Sequence, residues 1–149
     1  QSNWLRRLFA PRIDKLLFAA SKADHVTPDQ HANLQHLLRH LVHGAYGIAR
    51  FEGIAVECLP LASVRASDYR QVPHEGRLLN ALSGITLAGE AVHLFPGEVP
   101  ATPPSASYWQ QTDRFGFVAL RPPQWTPGTF VPHLRLDQVL EFLLGDKLQ

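Results

Sequence analysis

The stretch LLFAASKADHVTPDQHANLQHLL, Leu16 to Leu38, decides how the rest of the chain is read. Leu16 to Ala20, with Ile13 ahead of them, form an apolar run without alternation, the pattern of a strand covered on both faces as parallel strands usually are. Ser21-Lys22-Ala23-Asp24 breaks that run with a loop. Thr27-Pro28-Asp29-Gln30 then carries a helix start: a Thr able to cap, Pro at the first helical position, an acid in the first turn and Gln three residues after the cap. Leu34, Leu37, Leu38, Leu41 and Val42 fall on one helical stripe, and the pattern predicts a helix continuing past Gly44 and Gly47 to Glu52, with Gly53 as its carboxyl-terminal cap. A strand that delivers a Lys and an Asp into a loop just before a helix is where open α/β sheets place ligand-binding groups.

Working outward, IAVECLPL, Ile54 to Leu61, reads as the next strand. The intervening crossover is too long for a hairpin, so the two strands are expected to be parallel, with a right-handed connection. This second strand ends in ASVRAS, Ala62 to Ser67, which brings two small polar loops to one edge of one sheet, where they can meet over one ligand. Upstream, Trp4, Leu5, Leu8 and Phe9 have helical spacing and predict a short amphipathic helix over Asn3 to Ala10, ended by Pro11. After Asp68 the character changes: Leu78 to Leu94 holds short apolar runs broken by Gly84 and Gly89, residues 96–105 are proline-rich, and FGFVAL (115–120) reads as another short strand. LRLDQVLEFLLGDKL (134–148) closes the chain as an amphipathic helix with Leu136, Val139, Leu140, Leu143 and Leu144 on its apolar stripe. The expected organisation is therefore an α/β portion over residues 1–70, carrying the two converging loops, and a β-rich extension with a closing helix over 71–149 packed on the same core.

Composition narrows the partners. The chain has 149 residues, 45% hydrophobic and 18% charged, the size and balance of one globular domain. Fourteen basic against 13 acidic residues leave a net charge of +1, so no basic field argues for nucleic acid, while a membrane or protein partner and the oligomeric state stay open. Only Lys15, Lys22 and Lys147 are lysines, so Lys22 does not come from a lysine-rich background. The single Cys58 excludes an internal disulfide framework and suits a reducing compartment. No apolar run approaches the roughly 18–20 residues that span a bilayer, and Arg6, Arg7, Arg12 and Asp14 interrupt the first segment, so a cytoplasmic location is expected.

The chemistry expected at the first loop follows from what a carboxylate can read. Asp24 offers only acceptors, and the Watson–Crick edge of guanine presents two adjacent donors, N1–H and the exocyclic amine, so the two form a bidentate pair. Adenine has an acceptor at N1 and would face Asp24 lone pair against lone pair, a mismatch that rejects the wrong base by orders of magnitude. Lys22 can lay its aliphatic stem across the base while its ammonium stays in water.

This arrangement matches the guanine-specificity motif of P-loop GTPases, Asn or Thr, then Lys, any residue, and Asp at a strand end, with Ser21 departing from the first position. In such proteins the following strand ends in a small-residue loop whose backbone N–H reaches the guanine O6. Ala62-Ser63-Val64 stands at the matching place and is expected to bind guanine through its backbone donors, with Ser63 and Val64 carried over as the approximate equivalents. Together, DKLLFAASKADHVTPDQHANLQHLL (14–38), LASVRAS (61–67) and the closing LRLDQVLEFLLGDKL resemble the YcjX-like family of bacterial P-loop GTPases. The resemblance implies the carboxyl-terminal portion of a P-loop NTPase-like core, binding of GTP and GDP, hydrolysis of GTP, and an association with stress response. No Gly-x-x-x-x-Gly-Lys-Ser/Thr run occurs in the chain, so the phosphate-binding loop and the hydroxyl that holds Mg²⁺ are expected upstream of Gln1, and no catalytic residue is assigned here.

Other features have simpler readings. His36, His40 and His43 share a helical face suited to a metal, but they project opposite the leucine stripe with no Glu or Cys beside them on the helix, which favours an exposed polar face. His25, beside Asp24, either touches the ligand or finishes the loop, the latter being the simpler reading; Arg65 and Arg70 suit surface or ion-pair roles, and Cys58, mid-strand, is a packing residue rather than a nucleophile. The competing functional class is a non-enzymatic α/β interaction domain whose β-rich half, including the aromatic and proline-rich Tyr108 to Trp125, binds a protein partner.

Overall fold

A computed structural model describes residues 13–110 and 118–148. The expected helix over Asn3 to Ala10 and the first half of FGFVAL lie outside the described residues. Lys15–Ala20 forms β1 and Ala55–Pro60 forms β2, paired in parallel from Lys15↔Ala55 to Ala20↔Pro60. The crossover that parallel pairing requires is supplied by α1, His31–Leu41, and α2, His43–Phe51, with α1 packed on both strands and α2 on β2. Gly53, at φ 78°, ends α2 in the left-handed conformation that glycine adopts without cost. Because the pairing is parallel, both strands end at one edge, and residues 21–25 and 61–67 leave from adjoining positions.

In this parallel unit three details differ from the sequence reading. β1 is half-buried rather than enclosed, because among the described residues it pairs only with β2 and two strands do not make a sheet interior. The long helix is interrupted at Val42 (φ −99°, ψ 11°), although Val42 N–H still reaches the Leu38 carbonyl at 3.0 Å. A β-branched residue followed by His43-Gly44 is a weak point in a helix. At its start, Pro28–Gln30 is a 3-10 turn, and Thr27 makes no capping bond to the backbone. The Gln30 side chain donates instead to Thr27 Oγ1 at 3.4 Å and accepts the Val99 N–H. With Asn33 Nδ2 donating to the Val99 carbonyl at 3.1 Å, this fixes the proline-rich stretch on the start of α1, where Val99 joins Val26, Leu37 and Leu34 in a small core.

The β-rich half contains β3 (Ser67–His74), β4 (Arg77–Ile85) and β5 (Ala91–Leu94), antiparallel in that order. Glu75 and Gly76, both at positive φ (48° and 75°), make the two-residue turn whose twist matches the strands of a hairpin. Gly84 permits a close approach: a Cβ there would stand 2.8 Å from Leu120 Cδ1 and 3.2 Å from the Ala66 carbonyl oxygen. Of FGFVAL, the described residues contribute one antiparallel bridge, Leu120 to Thr86, and no strand.

Ala106–Trp109 forms one turn, α3, and Leu136–Leu144 forms α4, shorter than residues 134–148. The stripe of α4 is only partly covered: Val139 is buried, while Leu140 and Leu144 are exposed. The helix packs on β1, and just beyond it Asp146 Oδ1 lies 2.6 Å from Lys15 Nζ. Ahead of it, Leu134 bridges Ala62. The architecture is thus α/β, with a two-stranded parallel sheet, a three-stranded antiparallel sheet and helices. Among the described residues no helix is long and apolar enough to cross a membrane.

Candidate functional site

The site is built where β1 and β2 end. Lys22 turns the chain with φ 58° and ψ 34°, a left-handed conformation that costs a non-glycine residue about 1–2 kcal/mol. Ala23–His25 then closes a 3-10 turn, with His25 N–H on the Lys22 carbonyl at 3.0 Å and Val26 N–H on the Ala23 carbonyl at 3.2 Å. The turn is tied to the end of β2 by the Ala23 N–H, which donates to the Leu61 carbonyl at 3.0 Å. Leu61 N–H returns a bond to the Ala20 carbonyl at 2.9 Å. The two loops that the sequence placed at one edge therefore meet.

Their meeting point is Asp24, only 6% exposed. A buried carboxylate is costly unless hydrogen-bonded. Asp24 Oδ2 accepts the Ala66 N–H at 2.9 Å, and the Ser67 hydroxyl donates to the Asp24 carbonyl, so residues 66–67 hold both its head group and its backbone. Oδ1 has no hydrogen-bond partner among the described residues. Each carboxylate oxygen has two acceptor sites, so a paired donor can be received beside the Ala66 amide.

Ser21 and Lys22 are exposed at the rim. In the second loop Ala62 is buried and Ser63 and Val64 are exposed. The Ala62 N–H is already engaged, donating to the Leu134 carbonyl at 3.1 Å, with Leu134 N–H returning to the Ala62 carbonyl at 2.9 Å. Arg65 N–H donates to the Pro132 carbonyl at 2.7 Å. The closing segment thus runs beside this loop as an added strand-like brace. Arg65 also places its Nη2 3.4 Å from Asp68 Oδ1, an exposed ion pair of the kind its sequence position suggested.

Two residues that sequence reasoning passed over stand behind Asp24. His31, buried at the start of α1, has Nε2 3.0 Å from the Ala23 carbonyl oxygen and 3.1 Å from that of Val26. Its Nδ1 lies 3.3 Å from Arg135 Nη2, and Arg135 Nη1 donates to the Pro60 carbonyl at 3.1 Å. Burial pulls the His31 pKa below its usual 6.5, and the Arg135 charge acts in the same direction, against the two carbonyls and Asp29. No local motif announces this pair, whose members are 104 residues apart.

The remaining candidates are peripheral. His36, His40 and His43 are exposed around a shallow 320 Å³ depression that they share with Arg39, a cation that disfavours a metal. Among the described residues no group of three or more His, Cys, Asp or Glu could hold a metal ion. Cys58 is fully buried, and that burial raises its thiol pKa. A 440 Å³ cavity opens between Arg65, Ser67, Gly84, Arg121 and Pro123, beside the site but with neither Lys22 nor Asp24 in its wall.

The YcjX-like family, DUF463, matches residues 1–148. The chain belongs to that family. It is 49% identical over 150 residues to the Ras-like GTPase YcjX of Escherichia coli (strain K12), covering all of this chain and 32% of that protein. It is 41% identical over 153 residues to the Ras-like GTPase YcjX of Shewanella oneidensis, again covering the whole chain and 31% of the relative. The chain therefore spans about a third of the length of these family members.

Proposed function

We propose that this chain supplies the base-reading end of a guanine-nucleotide site in a longer P-loop GTPase that binds GTP and GDP and hydrolyses GTP. The observation that carries the reading is Asp24, a carboxylate fixed at the end of a parallel strand by the Ala66 N–H at 2.9 Å, with its second oxygen uncommitted among the described residues. Asp24 receives guanine N1–H and the exocyclic amine, and Lys22, exposed at the rim, covers one face of the base. Ser63 and Val64 turn backbone N–H groups to the guanine O6. Ala62, its N–H held by Leu134, anchors that loop in place, and Ser21 opens the first loop. The names of the two relatives support GTP as the nucleotide.

Phosphates and Mg²⁺ are assigned to residues outside this chain, which has no Gly-x-x-x-x-Gly-Lys-Ser/Thr run. Residues 1–70 then belong to a P-loop NTPase-like core. The β-rich half and closing helix, residues 71–149, pack on it through the Ala62–Leu134 bridge and the Lys15–Asp146 pair. The single buried Cys58 supports a cytoplasmic protein. The test is a titration of the full-length protein with fluorescent GDP. Displacement by GTP and not by ATP is expected, and equal displacement by ATP overturns the guanine reading.

A further inference from the structure

We infer that His31 and Arg135 form a positioning pair that sets how Asp24 faces the base, so that the closing segment takes part in base selection. The inference rests on the reading of Asp24 above. It begins with a tautomer: His31 Nε2 faces two carbonyl oxygens, Ala23 at 3.0 Å and Val26 at 3.1 Å, so this nitrogen carries the hydrogen. Nδ1 is then a lone pair, and it receives Arg135 Nη2 at 3.3 Å. Arg135 ties the other end of its fork to the last carbonyl of β2, Pro60, at 3.1 Å. The two carbonyls that His31 grips bracket Asp24 in sequence, so the turn is held by His31 on one side and by the Ala66 N–H and Ser67 hydroxyl on the other.

Arg135 breaks two local rules to be there. It occupies the N-cap of α4, where Ser, Thr, Asp or Asn is favoured, and its backbone is left-handed at φ 57° and ψ 19°. Glycine would take that conformation without strain but would bring no guanidinium. The side chain is therefore the reason for an Arg at this position, and its partners are the β2 end and the histidine behind the Asp24 turn. Departures from local preference that surrounding structure sustains collect at functional sites. A bidentate contact needs its carboxylate within about 0.5 Å and 10–20° of the productive pose, which is the tolerance such a brace provides.

Inosine diphosphate separates positioning from general support. It keeps the N1–H of guanine and lacks the exocyclic amine, so the ratio of GDP to IDP affinity reports the second of the two contacts to Asp24. In the full-length protein that ratio is expected to be roughly ten- to a hundred-fold, the value of one hydrogen bond to a charged group. Arg135→Gly relieves the backbone and removes the guanidinium. It is expected to fold and to lower the ratio at least several-fold, with Arg135→Lys restoring part of it and His31→Leu acting like Arg135→Gly. Should His31→Leu not fold, Arg135→Gly decides alone. An unchanged GDP/IDP ratio in folded Arg135→Gly overturns the inference while leaving Asp24 as the base reader. A full-length protein that binds GDP and IDP equally overturns the Asp24 reading itself, and this inference with it.

Discussion

Replacing Asp24 by Asn tests the base-reading chemistry through a constraint that the structure imposes. The Ala66 N–H, 2.9 Å from Oδ2, needs an acceptor, so the Asn carbonyl oxygen is held on that side and its NH₂ is turned to where Oδ1 stood. The amide then keeps its oxygen as an acceptor for N1–H but sets a donor against the exocyclic amine. One hydrogen bond to a charged acceptor is lost, about 1.5–3 kcal/mol, which weakens GDP by roughly ten- to a hundred-fold in Kd. Xanthine carries a carbonyl at position 2, which accepts from the new NH₂, so xanthosine diphosphate is expected to bind the variant better than it binds the unsubstituted protein. Because Ala66 keeps an acceptor, the fold loses only the charge assistance of one bond, about 1 kcal/mol, and the melting temperature falls by a few degrees at most. The assay is isothermal titration of the full-length protein and the variant with both nucleotides, alongside thermal unfolding. A folded variant that holds GDP as tightly as before, with no gain for xanthosine diphosphate, refutes the reasoning.

Gly84→Ala places a methyl 2.8 Å from Leu120 Cδ1 and 3.2 Å from the Ala66 carbonyl oxygen, an overpacking expected to cost about 1–3 kcal/mol, read by thermal unfolding; an unchanged midpoint counts against the tight packing. His31 titrates below its usual 6.5 in the folded protein, chiefly through burial, and faces Arg135 and Asp29. The unfolded chain therefore binds the proton more readily, and stability from this group is complete above pH 6.5 and declines as pH falls through 6.5 toward the folded value. Denaturant midpoints should show His31→Gln with a flatter acid limb over that window, and an identical limb contradicts the buried neutral histidine. Cys58, buried and with its pKa raised by burial above 9.0, is expected to stay unmodified by a thiol reagent at neutral pH until denaturant is added.

Much of the parallel unit was legible because its signals are local. Leu16 to Ala20 and Ile54 to Leu61 are compact apolar runs, and the long crossover between them leaves parallel pairing as the natural outcome. The helix start was visible at Thr27-Pro28, yet its letters serve another purpose: the Gln30 carbonyl oxygen takes the Val99 N–H while its amide reaches only the Thr27 hydroxyl, and the Val99 contact joins residues 69 apart that no window of sequence contains. β3 escaped notice because SDYRQVPH is polar and exposed through most of its length, so it lacks the alternation that marks a half-buried strand. Its turn, Glu75-Gly76, is also a less familiar pair than Asn-Gly or Asp-Gly.

At the candidate site, the meeting of the two loops followed from strand order, but the bracing did not. His31 lies between the loop residues and the exposed histidine face, and sequence offers no reason to prefer it to His36, His40 or His43. Only the fold brings Arg135 to it, and only the fold shows that the closing segment takes up the Ala62 N–H.

In the proposed site the Asp24 carboxylate receives the Watson–Crick edge of guanine. A crystal structure of the full-length protein with GDP measures this directly. Both Asp24 oxygens are expected within hydrogen-bonding distance of N1 and the exocyclic nitrogen, with the Ala66 N–H still on Oδ2. A purine ring bound elsewhere, out of reach of Asp24, contradicts it.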